Sequence, residues 1–119
     1  MHRRKAMPDE VIIVLSTCPD EATAARIAQA LVSERLAACV NQVGGVRSCY
    51  MWNGELQQDE ELLLIVKTTA RALPRLQTRL EALHPYELPE LVALPATDGN
   101  ERYLEWVRRC VEPDGSPPE

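Results

Sequence analysis

A thiolate, an imidazole and a carboxylate gathered in one cleft can hold a soft or borderline cation such as copper. Cys18, His84 and Glu90 supply those three groups, far apart in the chain, so only the fold could gather them. Pro85 keeps His84 out of the α region, an extended geometry expected to present the imidazole ring rather than bury it. The other cysteines, Cys39, Cys49 and Cys110, have no CxxC partner and no histidine at finger spacing. A structural zinc site is therefore disfavoured, and they read as small buried apolar residues of a reducing compartment. His2 lies in a terminal segment and carries little weight. That leaves His84 as the one base, and no Ser/His/Asp set arises around it. Gly44-Gly45 lacks the context of a phosphate loop. The acidic run Glu55, Asp59, Glu60 and Glu61 could attract cations, although such a run is more simply a solvated strand face. Tyr50 and Trp52 could stack on a planar ligand or pack at a subunit contact.

The elements that must position these groups belong to a single domain. The 119 residues are 45% hydrophobic and 26% charged, too apolar for disorder and too short for two large domains. The formal net charge of −5 repels phosphate backbones and anionic headgroups, so neither nucleic acid nor membrane is an expected partner. His2-Arg3-Arg4-Lys5 precedes no apolar stretch of secretory-signal length, and Val11–Leu15 is far too short to span a bilayer. These features point to a soluble cytoplasmic protein. Residues 1–9, a basic tail, and 112–119, a Pro-rich acidic tail, are expected to be disordered, leaving 10–111 as the folded domain.

Within that domain the hydrophobic period switches repeatedly. Val11 to Cys18 is β-branched and apolar, the pattern of a buried central strand. Asp20 and Glu21 start a helix whose Ala24, Ile27, Ala28 and Leu31 share a face. Two strand-like stretches, Leu36 to Trp52 and Leu56 to Thr69, flank Asn53-Gly54, the strongest short hairpin signal. A second helix carries Leu73, Leu76, Leu80 and Leu83, stopped by His84-Pro85. Leu88 to Leu94 reads as an edge strand because Pro89 and Pro95 cannot donate to a ladder. A last helix follows Asp98-Gly99-Asn100. The order β-α-β-β-α-β-α is that of an α+β, ferredoxin-like sandwich with an extended β-hairpin and a C-terminal helix. Its first and fourth strands are neighbours, which would bring Ser16–Cys18 near His84–Glu90. The strand ending at Trp52 would extend about 46 Å at ~3.3 Å per residue, whereas a globule of this size is about 35 Å across. The hairpin must bend at Gly44-Gly45 or project beyond its own domain toward another subunit.

Three stretches carry a resemblance to a known family: Arg35-Leu36-Ala37-Ala38-Cys39-Val40-Asn41; Tyr50-Met51-Trp52-Asn53-Gly54 with Lys67-Thr68; and His84-Pro85-Tyr86-Glu87-Leu88-Pro89-Glu90 with Ala93-Leu94-Pro95. In this order and spacing the chain resembles the CutA family of divalent-cation-tolerance proteins, from about Val11 to Val111. The resemblance implies a ferredoxin-like protomer in a PII-like homotrimer, cytoplasmic, associated with copper tolerance and without established catalysis. Tyr50, Met51, Trp52 and Tyr86 are then expected at the subunit contact. Copper-linked bacterial members carry a cysteine where this chain has Ser16 and a second histidine where it has Leu83. Cys18, two residues from Ser16 on the same strand face, is a conceivable substitute, and Cys18, His84 and Glu90 would form a weak, open site for copper or another divalent cation. The alternative is a PII-like module that holds an unidentified small ligand or protein partner in clefts between subunits.

Overall fold

A computed structural model describes residues 7–111; residues 1–6 of the expected tail 1–9, with His2, and the expected tail 112–119 lie outside the described residues. The elements are β1 (Val11–Cys18), α1 (Glu21–Ser33), β2 (Cys39–Trp52), β3 (Glu55–Thr69), α2 (Leu73–Leu83), β4 (Val92–Pro95) and α3 (Glu101–Cys110). All pairings in the four-stranded sheet are antiparallel, in the order β2-β3-β1-β4. This is the ferredoxin-like α+β arrangement that the element order implied. Chain just ahead of residue 10 is tied to the domain: the Pro8 and Glu10 carbonyls accept from the Arg71 and Ala70 amides, and Arg108 Nε donates to the Asp9 carbonyl.

Local chemistry explains where the elements begin. Asp20 caps α1 by accepting from the Thr23 amide at 2.8 Å, and that hydrogen bond lowers the Asp20 pKa. Asn100 caps α3 through the Tyr103 amide. Between β2 and β3 the turn takes φ of 51° at Asn53 and 80° at Gly54, the two positive values a type I′ hairpin turn demands. The fourth strand is an edge strand, but it runs only from Val92 to Pro95 rather than from Leu88. Pro89 cannot donate to a ladder, and the 84–91 segment bonds to the end of β1 in another way, described below.

Strand parity divides the sheet into two unlike faces. Ile12, Val14, Leu64 and Val66 turn toward Ala24, Ile27 and Leu31 of α1 and Leu76 and Leu80 of α2, forming the main core. On the opposite face α3 covers one end, where Val107 and Val111 pack with Val11, Ala38 and Ala72. The rest of that face keeps Ile13, Leu15, Leu63 and Ile65 only half-buried. Beside them Val43, Val92 and Leu94 are 40%, 48% and 45% exposed. Apolar side chains thus pave a sheet surface that no helix of the protomer closes over.

The hairpin both bends and projects. Pairs at its base, such as Val43 with Leu63, and pairs nearer the tip, such as Val46 with Glu61, differ in register across Gly44-Gly45. Gly44 and Gly45 on β2 there stand against Leu62 alone on β3, which is a bulge, and Gly45 supplies its positive φ of 77°. The molecule is still 47 Å along its longest axis.

Candidate functional site

Two features meet where β1 ends: a buried Cys18–His84 pair on the helix side of the sheet and a cleft on the other side. Beyond Leu15, β1 has no ladder partner in β4, so its edge needs another source of hydrogen bonds. The segment following α2 supplies them. His84 Nε2 lies 2.7 Å from the Thr17 carbonyl, and Ser16 Oγ donates to the Glu90 carbonyl at 2.7 Å. The Tyr86 amide donates to His84 Nδ1 at 3.1 Å. Because Nδ1 accepts, Nε2 carries the proton and donates to Thr17.

His84 does have extended backbone, with φ −84° and ψ 136°, as Pro85 requires. Its ring is nevertheless buried, 7% exposed, which corrects the expectation that it would be presented. An unpaired strand carbonyl draws the imidazole inward, and the Tyr86 ring lies over it at 4.7 Å between centroids. Cys18 is fully buried, with Sγ 3.9 Å from His84 Nε2. Cys39 and Cys110 are only half-buried and Cys49 is exposed, which corrects the expectation that those three would be buried. Burial pushes the Cys18 thiol up to about 11, and repulsion from Asp20 and Glu61 adds to the shift. A cation at this pair has to displace a proton from a reluctant thiol and break the imidazole's bond to Thr17.

The topology therefore brings Cys18 and His84 together, as their positions on neighbouring elements implied. Glu90 does not join them: its backbone carbonyl accepts from Ser16 Oγ, and its exposed side chain lines the cleft instead. Among the described residues no three metal-ligating side chains converge, so the expected three-residue set contracts to a buried pair.

The cleft has a volume of about 720 Å³. Thr17, Ser48, Tyr50, Trp52 and Glu61 line it from the sheet, and the 85–90 segment closes the other wall. Ser48 and Tyr50 pair with Asp59 and Gln57, and Trp52 with Glu55, in the same alternation that sets Val46 opposite Glu61, so these side chains share the open face of the sheet. Tyr86 stands half-buried in the opposite wall, and its hydroxyl donates to Glu61 at 2.7 Å. Burial and Glu61 together hold the Tyr86 phenol well above its usual range. Tyr50 donates to Asp59, and Met51 points outward, 63% exposed.

Glu61 is the residue the sequence misled on. Within an acidic run it read as solvated, yet it is 7% exposed. Its parity carries the missing signal, since residue 61 falls on the face of Leu63 and Ile65 while Glu60 falls on the other.

Comparison with known proteins agrees with this architecture. The family model for the CutA1 divalent ion tolerance protein matches residues 12–110. The divalent-cation tolerance protein CutA of Thermus thermophilus is 58% identical over 96 residues, 81% of this chain and 93% of that protein. The human protein CutA is 42% identical over 106 residues, 89% of this chain but only 59% of the human protein. A solved structure of the Thermus thermophilus divalent cation tolerance protein superposes with a TM-score of 0.84 at 55% identity, covering 86% of this chain and 99% of that one. Sequence motifs, sheet order and these matches converge, and the chain belongs to the CutA1 divalent ion tolerance family.

Proposed function

We propose that the chain acts as a non-catalytic homotrimer of divalent-cation tolerance in the cytoplasm, binding copper or a similar cation weakly at Cys18 and His84. The observation that carries the assembly is the unclosed apolar face of Ile13, Leu15, Leu63, Ile65, Val92 and Leu94. Helices cover one side of a two-layer sandwich, and the other side must find a partner or stay wet. The projecting hairpin adds Met51 and Leu56, each 63% exposed, as reach toward a neighbouring protomer, with Tyr50, Trp52 and Tyr86 where that contact meets the cleft. The number three rests on the family's resemblance to PII-like trimers. Weakness of the metal site follows from the raised thiol and the engaged imidazole. Four free cysteines, Cys49 exposed among them, suit a reducing compartment.

Light scattering at micromolar concentration tests the assembly: about three times the 13.4 kDa chain mass is expected, and a monomer mass would refute it. Calorimetric titration with Cu(I) tests the pair, with binding expected to weaken in Cys18→Ser and to vanish in His84→Ala. An identical isotherm in all three proteins would place any copper elsewhere. Recovery from the periplasm on fractionation would refute the compartment.

A second reading has its own observation. The cleft of about 720 Å³ falls within the size range of small-molecule sites and opens on the same face as the proposed subunit contact. It would serve a PII-like module that holds a small ligand between subunits.

A further inference from the structure

We propose that the cleft between the hairpin and the 85–90 segment binds a small organic cation of the alkylammonium class, an inference that rests on reading the cleft as a ligand site. Its lining joins three aromatic side chains, Tyr50, Trp52 and Tyr86, to three carboxylates, Glu61, Glu87 and Glu90. Among the described residues the lining holds no Lys, Arg or His, so no side-chain cation is there to attract an anionic ligand. Glu61 is buried and receives a hydrogen bond from the neutral Tyr86 hydroxyl, which solvates its charge without neutralising it. A buried carboxylate of this kind gains most from an incoming positive charge.

The choice between a metal ion and an organic cation follows from geometry. A compact divalent ion needs several oxygens converging on one point, and among the described residues no such group of three exists. An alkylammonium spreads its charge over a larger apolar surface, which aromatic faces attract through the ring quadrupole. Both tyrosines donate their hydroxyl protons to carboxylates, Tyr86 to Glu61 and Tyr50 to Asp59. Donation of that kind adds electron density to the phenol ring and strengthens its pull on a cation.

The test titrates the assembled full chain with choline and, separately, with its neutral isostere 3,3-dimethylbutan-1-ol, by calorimetry at constant ionic strength. Choline is expected to bind at least tenfold more tightly than the isostere. Glu61→Gln keeps an acceptor for Tyr86 but removes the charge, and should weaken choline about tenfold while leaving the isostere unchanged. Should that variant misfold, the exposed pair Glu87→Gln with Glu90→Gln should reduce choline binding in the same selective way. Equal binding of choline and isostere would overturn the cation assignment while leaving the cleft as a ligand site. Failure of both to bind would overturn the assignment and the cleft reading together.

Discussion

His84 is held at both ring nitrogens, and this decides what it can do. Its Nε2 proton closes the open edge of β1 at Thr17, and its Nδ1 anchors the Tyr86 amide that leads into the cleft wall. The residue is first a clasp and only then a candidate ligand. Truncation in His84→Ala leaves a buried carbonyl and an amide without partners, at about 1–3 kcal/mol each. A loss of about 3 kcal/mol in chemical denaturation is expected, and a loss below 1 kcal/mol would show that the clasp contributes little. Cys18 beside it adds a pH signature. Its thiol titrates near 9.0 when unfolded and about 11 when folded, so between those values the folded state binds more protons. Stability therefore falls as pH rises through that window. A Cys18→Ala variant should lose less stability than the parent between pH 9 and 11; parallel profiles would mean the thiol is not desolvated. The nearness of Cys18 and His84 was legible in the sequence, because antiparallel neighbours bring the end of one strand to the start of the other. The inward turn of the ring was not. Extended backbone before proline allows either direction, and the choice is made by a strand carbonyl 67 residues away.

At the scale of elements, the hairpin reconciles two registers. The Asn53-Gly54 turn dictates the pairing of the tip, from Trp52 with Glu55 down to Val46 with Glu61, and the core dictates that of the base. Between them the counts differ by one residue, and the bulge at Gly44-Gly45 absorbs it. As a result Tyr50 and Trp52 share the open face with Val43 while Val40 still packs into the core. Turn and bulge were both legible, because Asn-Gly marks a turn with positive φ and a glycine pair inside a strand pattern marks a bulge or bend. The true extent of β4 was less so, since an apolar run between prolines does not say which residues find a partner strand. The two glycines of the bulge are not equivalent. Gly45 has φ of +77°, whereas a methyl at Gly44 meets open space without that conformation. Gly45→Ala should destabilise by about 1 kcal/mol through left-handed strain, and Gly44→Ala should stay within about 0.5 kcal/mol of the parent. Urea midpoints on the two variants make the comparison. Equal effects would mean that the bulge is held by its ladder rather than by glycine's freedom.

The molecule as a whole is a sandwich with one slice missing. The apolar run from Val11 to Cys18 reads as a buried central strand. That reading is sound about burial but silent about who does the burying. A side chain destined for another protomer and one destined for its own helix impose the same residue type, so sequence pattern alone assigns both to the core. The structure separates the two faces by burial: Val14, Leu64 and Val66 are wholly inaccessible, while Leu15, Leu63 and Ile65 on the other face are only half-buried within the protomer. Ile65 lies opposite Leu15 in the β1–β3 ladder, at the middle of the unclosed face and away from α3. A charge there is tolerable in a lone protomer, where water reaches it, and costs several kcal/mol if a second protomer seals the face. Ile65→Glu is therefore expected to shift the light-scattering mass from about three chains to one while leaving the far-ultraviolet dichroism of the fold unchanged. Gln77→Glu, on the exposed side of α2, should leave the mass unaltered. A trimer that survives Ile65→Glu would show that the hairpin tip alone joins the subunits and that the open face serves another partner.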